Sequence, residues 1–514
     1  MLLIKRIQWQ KVLALLVVFL AVEIWSYLAF SLPGYSHIIY FFILSIFLIV
    51  SLYKLEYALL ALFAELIVGS MGHLFYLDFD GFRVSIRIGF WLIVMTVFAT
   101  KFIYQLAKKK RNSEYLQRII SFPYLKILSL LLLVFLYGFL KGVMNEQAFS
   151  SVFADFNSYL FLLLVFPFLA LIDLKKEKVK EGLKIMILAA LIWLSIKTMF
   201  LLAVFSHNLV FAADMYYWLR RTLVGEMTAG TWPRIFIQSQ IFSVSAYIFV
   251  FWIMQTINDR TNRLKDWFRT TNWTYLLLSS LFFTTVILSF SRSFWLALFL
   301  VISASIVYIW RLYNFKRALY SLLWLLMSVI ISFAFIYSII LLPISDFGAG
   351  SLNKGLSERI SRDSSEPALA SRWSLLPVLW GEIKQAPILG KGFGAELVYV
   401  SSDPRVLENN PSGHYSTYAF EWGYLDIWLK IGVLGLILYL LFLSRIFILG
   451  IIYAKKANGL YIASSFSLLF LVITHFFTPY LNHPLGLGLL IILTCIICEN
   501  DVYLITKNRD TNKL

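Results

Sequence analysis

Charged residues are scarce in this 514-residue chain, at 14% against 60% hydrophobic residues. A soluble domain carries about 25% charged and about 45–50% apolar residues. A folded chain of this length still needs a polar surface, so the composition excludes a soluble enzyme. Cysteine is rarer still. Cys495 and Cys498 share one apolar run, which excludes a disulfide framework or a zinc site. Low-complexity tracts and internal repeats are missing, and an aromatic content of 18% excludes disorder. Negative charge is the minority sign: 28 Asp and Glu stand against 45 Lys and Arg, a net charge of +17. Nucleic-acid binding would need a basic face with stacking aromatics on a soluble surface. Here the basic residues sit in short clusters between apolar runs, the pattern of membrane topology, so no nucleic-acid partner is expected.

What the chain has in abundance is long apolar runs. They fall near 11–30, 36–53, 57–76, 85–107, 121–142, 154–172, 185–205, 235–256, 274–290, 293–310, 318–342, 425–444, 459–478 and 484–500. Each approaches the length a helix needs to cross about 30 Å of hydrocarbon, giving an all-α polytopic membrane protein of about fourteen helices. The first run follows Lys5, Arg6 and Lys11 but lacks a small-x-small cleavage site before Pro33, so it reads as a retained helix. Every second connection is basic: Lys108 to Arg111; Lys175, Lys176, Lys178 and Lys180; Arg260, Arg263, Lys265 and Arg269; Arg311, Lys316 and Arg317; Lys455 and Lys456; and the tail with Lys507, Arg509 and Lys513. The positive-inside rule then puts both termini in the cytoplasm.

The chain thus divides into helices one to eleven (1–342), one large polar outer loop (343–424), and helices twelve to fourteen with a short tail (425–514). Six prolines cut the loop, which predicts short helices lying over the membrane face. A second, shorter outer loop spans 206–234.

On the outer side the basic residues change character. Arg83, Arg87, Arg220, Arg221, Arg234, Arg292, Arg359, Arg362, Arg372 and Arg405 outnumber Lys354, Lys384 and Lys391, with Lys141 and Lys430 at span ends. Topology alone does not prefer arginine. A guanidinium fork binds phosphate oxygens bidentately and stays charged, so this skew suits a phosphate or pyrophosphate ligand. Some of these arginines will simply meet lipid headgroups or loop carboxylates. Three are better placed: Arg234, where the 206–234 loop re-enters the membrane after Pro233; Arg292, in a turn too short to leave the membrane surface; and Arg372, in the large loop. As a base, His414 and Glu421 lie seven positions apart and would share a face if that stretch is helical. Asp403, Glu408 and Glu382 are weaker choices.

Other features read as structural. Gly390-Lys391-Gly392-Phe393-Gly394 has no preceding strand and more simply makes a tight turn than a nucleotide loop. Asn272-Trp273-Thr274 is a sequon in spelling only, on the cytoplasmic side. Glu23, Glu65, His73, Lys197 and His475 are ionisable within the membrane; Glu65 can satisfy His73, and Lys197 can snorkel.

Taken in order, several motifs resemble the O-antigen polymerase and ligase superfamily. They are Pro233-Arg234-Ile235, Ser291-Arg292-Ser293 (with serine where the superfamily has glycine), Ser371-Arg372-Trp373 through Glu382-Ile383 to Pro387–Gly394, and Gly423–Gly435. The similarity covers roughly 230–440. It implies a metal-independent, inverting glycosyltransferase of the bacterial inner (plasma) membrane that needs no cofactor. Its donor would be a polyprenyl-pyrophosphate-linked glycan at the outer face. By that resemblance Arg234, Arg292 and Arg372 hold the pyrophosphate, and Glu421 or His414, with Arg372, forms the catalytic group. Similar ligases carry a His-Asn pair shortly before the Gly432-type glycine; here that position is Glu421-Trp422, which favours a repeat-unit polymerase over a ligase acting on lipid A core. A chain-length regulator is a possible partner. A lipid-linked oligosaccharide flippase is the rival from another class, although it would want its charges in a central cavity and needs no large outer loop.

Overall fold

A computed structural model describes residues 8–79, 82–108, 114–228, 232–257, 267, 270–343, 365–402, 404–454 and 459–511. It is a bundle of helices: α1 (Trp9–Ser31), α2 (Pro33–Tyr53), α3 (Leu55–Val68), α4 (Ile86–Ala107), α5 (Glu114–Ile120), α6 (Leu125–Met144), α7 (Phe149–Leu160), α8 (Val165–Leu171), α9 (Glu177–Ser206) and α10 (Ala212–Thr222). The series continues with α11 (Gln240–Ile257), α12 (Thr270–Ser289), α13 (Arg292–Leu312), α14 (Phe315–Ile340), α15 (Ser365–Gln385), α16 (Pro404–Asn409), α17 (Gly423–Ala454), α18 (Gly459–Phe477) and α19 (Pro484–Thr511). Three two-stranded antiparallel hairpins sit between helices: β1–β2 (Tyr76–Phe79, Phe82–Ser85), β3–β4 (Glu226–Met227, Ile235–Phe236) and β5–β6 (Leu397–Val400, His414–Thr417).

Twelve helices among the described residues are long and apolar enough to cross a bilayer, counting α7 and α8 as one run. The chain is an all-α polytopic membrane protein. Two expected spans take another form. The run near 57–76 is the 14-residue α3, by itself shorter than the about 20 residues of a spanning helix, followed by a turn and the β1–β2 hairpin. Its short length is tolerated because α3 is buried along most of its surface, against α9, α4 and α2. The run near 484–500 is the apolar first part of α19, whose later residues are polar.

Packing sorts the helices by exposure. α9, α11, α12 and α18 are mostly buried, whereas α1, α2 and α14 turn large apolar side chains such as Val17, Ile38, Ile49 and Leu326 outward. Such a surface needs lipid rather than water against it. Inside, the ionisable groups are paired. Glu65 takes a bidentate grip from Arg87 (2.7 and 3.1 Å) rather than satisfying His73, whose Nδ1 has no partner. Lys197 does not snorkel; its Nζ reaches Glu23 Oε1 and the Val68 carbonyl, each at 2.7 Å.

The chain direction alternates from helix to helix. The turns after α1, α3, α6, α9, α12, α14 and α18 therefore gather at one end of the bundle, together with α15 and the hairpins. Hydrogen bonds tie this end together, among them Ser26 to the Leu74 carbonyl, Trp218 to Ser26, Asn145 to the Lys391 carbonyl and Tyr480 to the Gln238 carbonyl. We call it the loop face. The described part of the 343–424 segment is not a set of short helices alone: it holds the 21-residue α15 and the β5–β6 hairpin.

Candidate functional site

Arg234 is set by the β3–β4 hairpin. Its N–H donates to Thr228 Oγ1 at 2.7 Å, and its carbonyl accepts from the Thr228 N–H at 3.0 Å. The side chain then extends to two partners: Nη1 lies 3.0 Å from Glu226 Oε2, and Nε donates to the Ser289 carbonyl at 3.3 Å. That second contact delivers Arg234 to the turn between α12 and α13, where Arg292 opens the next helix. The turn is strained, since Phe290 has φ +46° without being glycine. A serine ladder holds it. Ser291 N–H donates to Ser289 Oγ (3.2 Å), Ser291 Oγ meets Ser293 Oγ (3.1 Å), and Ser293 Oγ meets Thr478 Oγ1 (3.1 Å). Val224, two residues before Glu226, also has a positive φ, +51°, unusual for a β-branched residue. Left-handed non-glycine residues gather where the surrounding structure fixes functional groups, each costing about 1–3 kcal/mol.

Arg372 comes from the opposite side. Leu375, Leu379 and Ile383 follow it at helical spacing and bury against Ala395, Leu397, Phe420 and Leu429, which fixes α15 to the start of α17. Ser371 Oγ bonds Ser401 Oγ at 2.8 Å, and Trp422 Nε1 donates to the Arg372 carbonyl at 3.1 Å. The guanidinium forms an ion pair with Glu421. Burial draws the Arg372 pKa below its ordinary value; the nearby Glu226 carboxylate opposes this, and the Arg292 and Arg234 cations add to it. Arg234, Arg292 and Glu226 thus lie within electrostatic reach of Arg372, which is itself paired with Glu421, so three cations and two carboxylates share this region. Such a surplus on arginine forks is chemically suited to an anion.

The other expected residues lie elsewhere or are already engaged. His414 begins strand β6, so it shares no helical face with Glu421; it is exposed, and its carbonyl accepts from Asn410 Nδ2 at 2.9 Å. Arg87 is consumed by Glu65, and Arg83 pairs with Asp78 at 3.4 Å. Arg220 donates to the Gly225 carbonyl at 3.2 Å. Arg221 lines a cavity of about 240 Å³ with Asp78, His37 and Tyr76. Glu382 pairs with Lys391, Lys384 lies over the Trp380 ring, and Glu408 is exposed on α16. Lys354, Arg359, Arg362, Asp403 and the side chain of Arg405 lie outside the described residues. Among the described residues, no three histidine, cysteine, aspartate or glutamate side chains gather closely enough to hold a metal ion.

Two features escape a reading of the sequence. Glu226 is one; its only signal is a lone carboxylate between Arg221 and Arg234. The other is Lys430, which is fully buried rather than at a span end, with Nζ 2.7 Å from both Asp155 Oδ1 and Asp426 Oδ1. Asp426 and Lys430 are one turn apart on a helix, a spacing that was legible. Asp155 also accepts the Gly394 N–H at 2.8 Å, and Asn482 bonds Asp426. Around this triad the Gly390–Gly394 segment does make a turn, and it enters a break in α17. Gly432 has φ +72°, and a side chain there would strike the Ile388 carbonyl. The N–H groups of Lys391 and Gly392 bond the carbonyls of Leu429 and Lys430 (2.6 and 2.9 Å), and Val433 N–H bonds the Pro387 carbonyl at 2.9 Å.

Residues 277–440 match the family model described as O-antigen ligase. No curated protein matches the chain. The matched stretch contains Arg292, Arg372, Glu421 and the α17 break, while Glu226 and Arg234 precede it. Twelve apolar helices among the described residues make the chain a multi-pass membrane protein, and its residues 277–440 are similar to the O-antigen ligase family.

Proposed function

We propose that the chain is a polysaccharide repeat-unit polymerase of the bacterial inner membrane, with the loop face outward and both termini cytoplasmic. Its donor is a polyprenyl-pyrophosphate-linked oligosaccharide, and its acceptor is a second lipid-linked repeat unit. The observation that carries this reading is that Arg234 reaches the Ser289 carbonyl, in the turn that Arg292 follows, while Arg372, paired with Glu421, lies within electrostatic reach of both.

In the proposed reaction an acceptor hydroxyl oxygen attacks the anomeric carbon from the face opposite the pyrophosphate. The carbon–oxygen bond to phosphate breaks, and its electron pair stays on the pyrophosphate. The hydroxyl proton passes to the Glu421 carboxylate. A single displacement inverts the anomeric configuration. The three guanidiniums stabilise the charge that grows on the leaving group, and preorganised charge of this kind is often the largest catalytic term. They supply the positive charge themselves, so the step is written without a metal ion.

The second reading is a ligase that passes the glycan to lipid A core, favoured by the match of residues 277–440 to the O-antigen ligase family. Purified protein in detergent, given only a lipid-linked repeat unit, separates the readings. A glycan ladder that Arg372→Ala and Glu421→Ala both abolish, in protein that stays folded, supports the polymerase. Transfer only after a lipid A core acceptor is added supports the ligase. Substrate crossing liposomes with no transfer to either acceptor overturns both in favour of transport.

A further inference from the structure

The site's own carboxylates occupy the places an anionic ligand would take. Glu226 Oε2 sits 3.0 Å from Arg234 Nη1, and Glu421 is paired with Arg372. Neither pair is sealed. The side chains are 31% and 40% exposed in the first and 36% and 50% in the second, against 2% and 9% for Lys430 and Asp155. Exposed pairs of this kind hold weakly, so a better anion displaces them. Arg234 keeps a second anchor on the Ser289 carbonyl and would stay in place when the carboxylate leaves.

Building on the glycosyl-transfer reading, we propose that Glu226 and Glu421 are placeholders for the donor's two phosphate groups. They hold Arg234 and Arg372 extended before the donor binds and step off as the diphosphate arrives. The charges support this. A sugar-linked diphosphate carries two negative charges and gains a third when its bond to the sugar breaks. Three arginines match that trianion, whereas three arginines still bound to two glutamates present a surplus of only one. The exchange also sets an order. While Glu421 is held by Arg372 it is a poor proton acceptor, and the donor that takes Arg372 releases it, so the base becomes competent only when there is something to attack. Glu226 acts through Arg234 and is a positioning residue.

The test uses the full-length chain in detergent with farnesyl diphosphate as the probe. Wild type binds it, and Arg234→Ala binds it more weakly. Glu226→Gln binds it about two- to fivefold tighter, the scale of one partly exposed ion pair. That gain shrinks in high salt, and the variant lowers the donor KM in the ladder assay. A fold defect weakens binding, so tighter binding is not a by-product of damage. Unchanged or weaker binding by folded Glu226→Gln overturns the placeholder role alone. Failure of wild type to bind the diphosphate overturns the reading of the site together with it. Should the variant not fold, infrared difference spectra of the wild type decide: ligand-induced shifts of carboxylate stretches support the exchange, and their absence overturns it.

Discussion

Two groups of ion pairs in this molecule use the same residue types to opposite ends. Within the bundle, Lys430 lies between Asp155 and Asp426, Arg118 reaches Asp173 (3.4 Å) and Glu499 (3.1 Å), and Lys197 pairs with Glu23. In these three groups the carboxylates equal or outnumber the cations, and the groups are largely buried. On the loop face three arginines meet two glutamates, and the groups remain partly exposed. Buried cations matched or outnumbered by carboxylates join helices in a medium that cannot solvate them singly. An accessible surplus of cations leaves capacity for an anionic ligand. The sign of the surplus and its exposure, more than the mere presence of charge, separate the two groups.

The comparison breaks most sharply at activity. Arg292→Ala should lower polymerisation by about 10²–10³-fold, as loss of one preorganised donor does, with thermal stability within about 0.5 kcal/mol of wild type. A glycan ladder and a melting curve on one preparation check both halves, and an active Arg292→Ala enzyme would remove that residue from the site. Lys430→Met should do the reverse. Two buried aspartates left without their cation cost about 3–5 kcal/mol, read as a fall in melting temperature and in yield of monodisperse protein. A melting temperature equal to wild type would mean the triad is not a structural joint.

Finer tests sharpen the contrast. Glu421→Gln removes the proton acceptor and should cost about 10²-fold or more in turnover while leaving diphosphate binding intact or stronger. His414→Gln should leave turnover close to wild type, because His414 sits on β6 with its contacts in that hairpin; a collapse in rate would transfer the base to it. The smallest effect belongs to Arg83→Ala, whose pair with Asp78 is an exposed one worth less than about 1 kcal/mol, so activity and melting should both hold.

Much of this was legible in the chain. Apolar runs locate the helices because lipid demands backbone bonds closed within a segment. Arg234, Arg292 and Arg372 stood out because arginine on the side where topology needs no positive charge calls for another cause. The run at 57–76 holds a shorter helix than its length suggests, because burial by neighbouring protein and burial in lipid leave the same apolar signature. Glu226 stayed hidden because a carboxylate in a polar loop is unremarkable until the fold brings Arg234 back onto it. The separation of His414 from Glu421 depended on a hairpin whose partner strand, Leu397–Val400, lies well upstream.

The break at Gly432 bears on how the protein is built. The carbonyls of Leu429 and Lys430 are bonded by the N–H groups of Lys391 and Gly392, and the Phe393 N–H bonds the Gly138 carbonyl on α6 at 2.9 Å. Helix α17 therefore cannot satisfy its own backbone on entering the bilayer. It borrows donors from a segment synthesised some forty residues earlier, itself docked on a helix made long before. During synthesis the pieces emerge in the order α6, docking segment, broken helix. Closing the joint is thus a late event in biogenesis, and a chain that fails to dock 387–393 would be left with an incompletely bonded α17 in the lipid, a defect that membrane quality control can detect before any substrate is met.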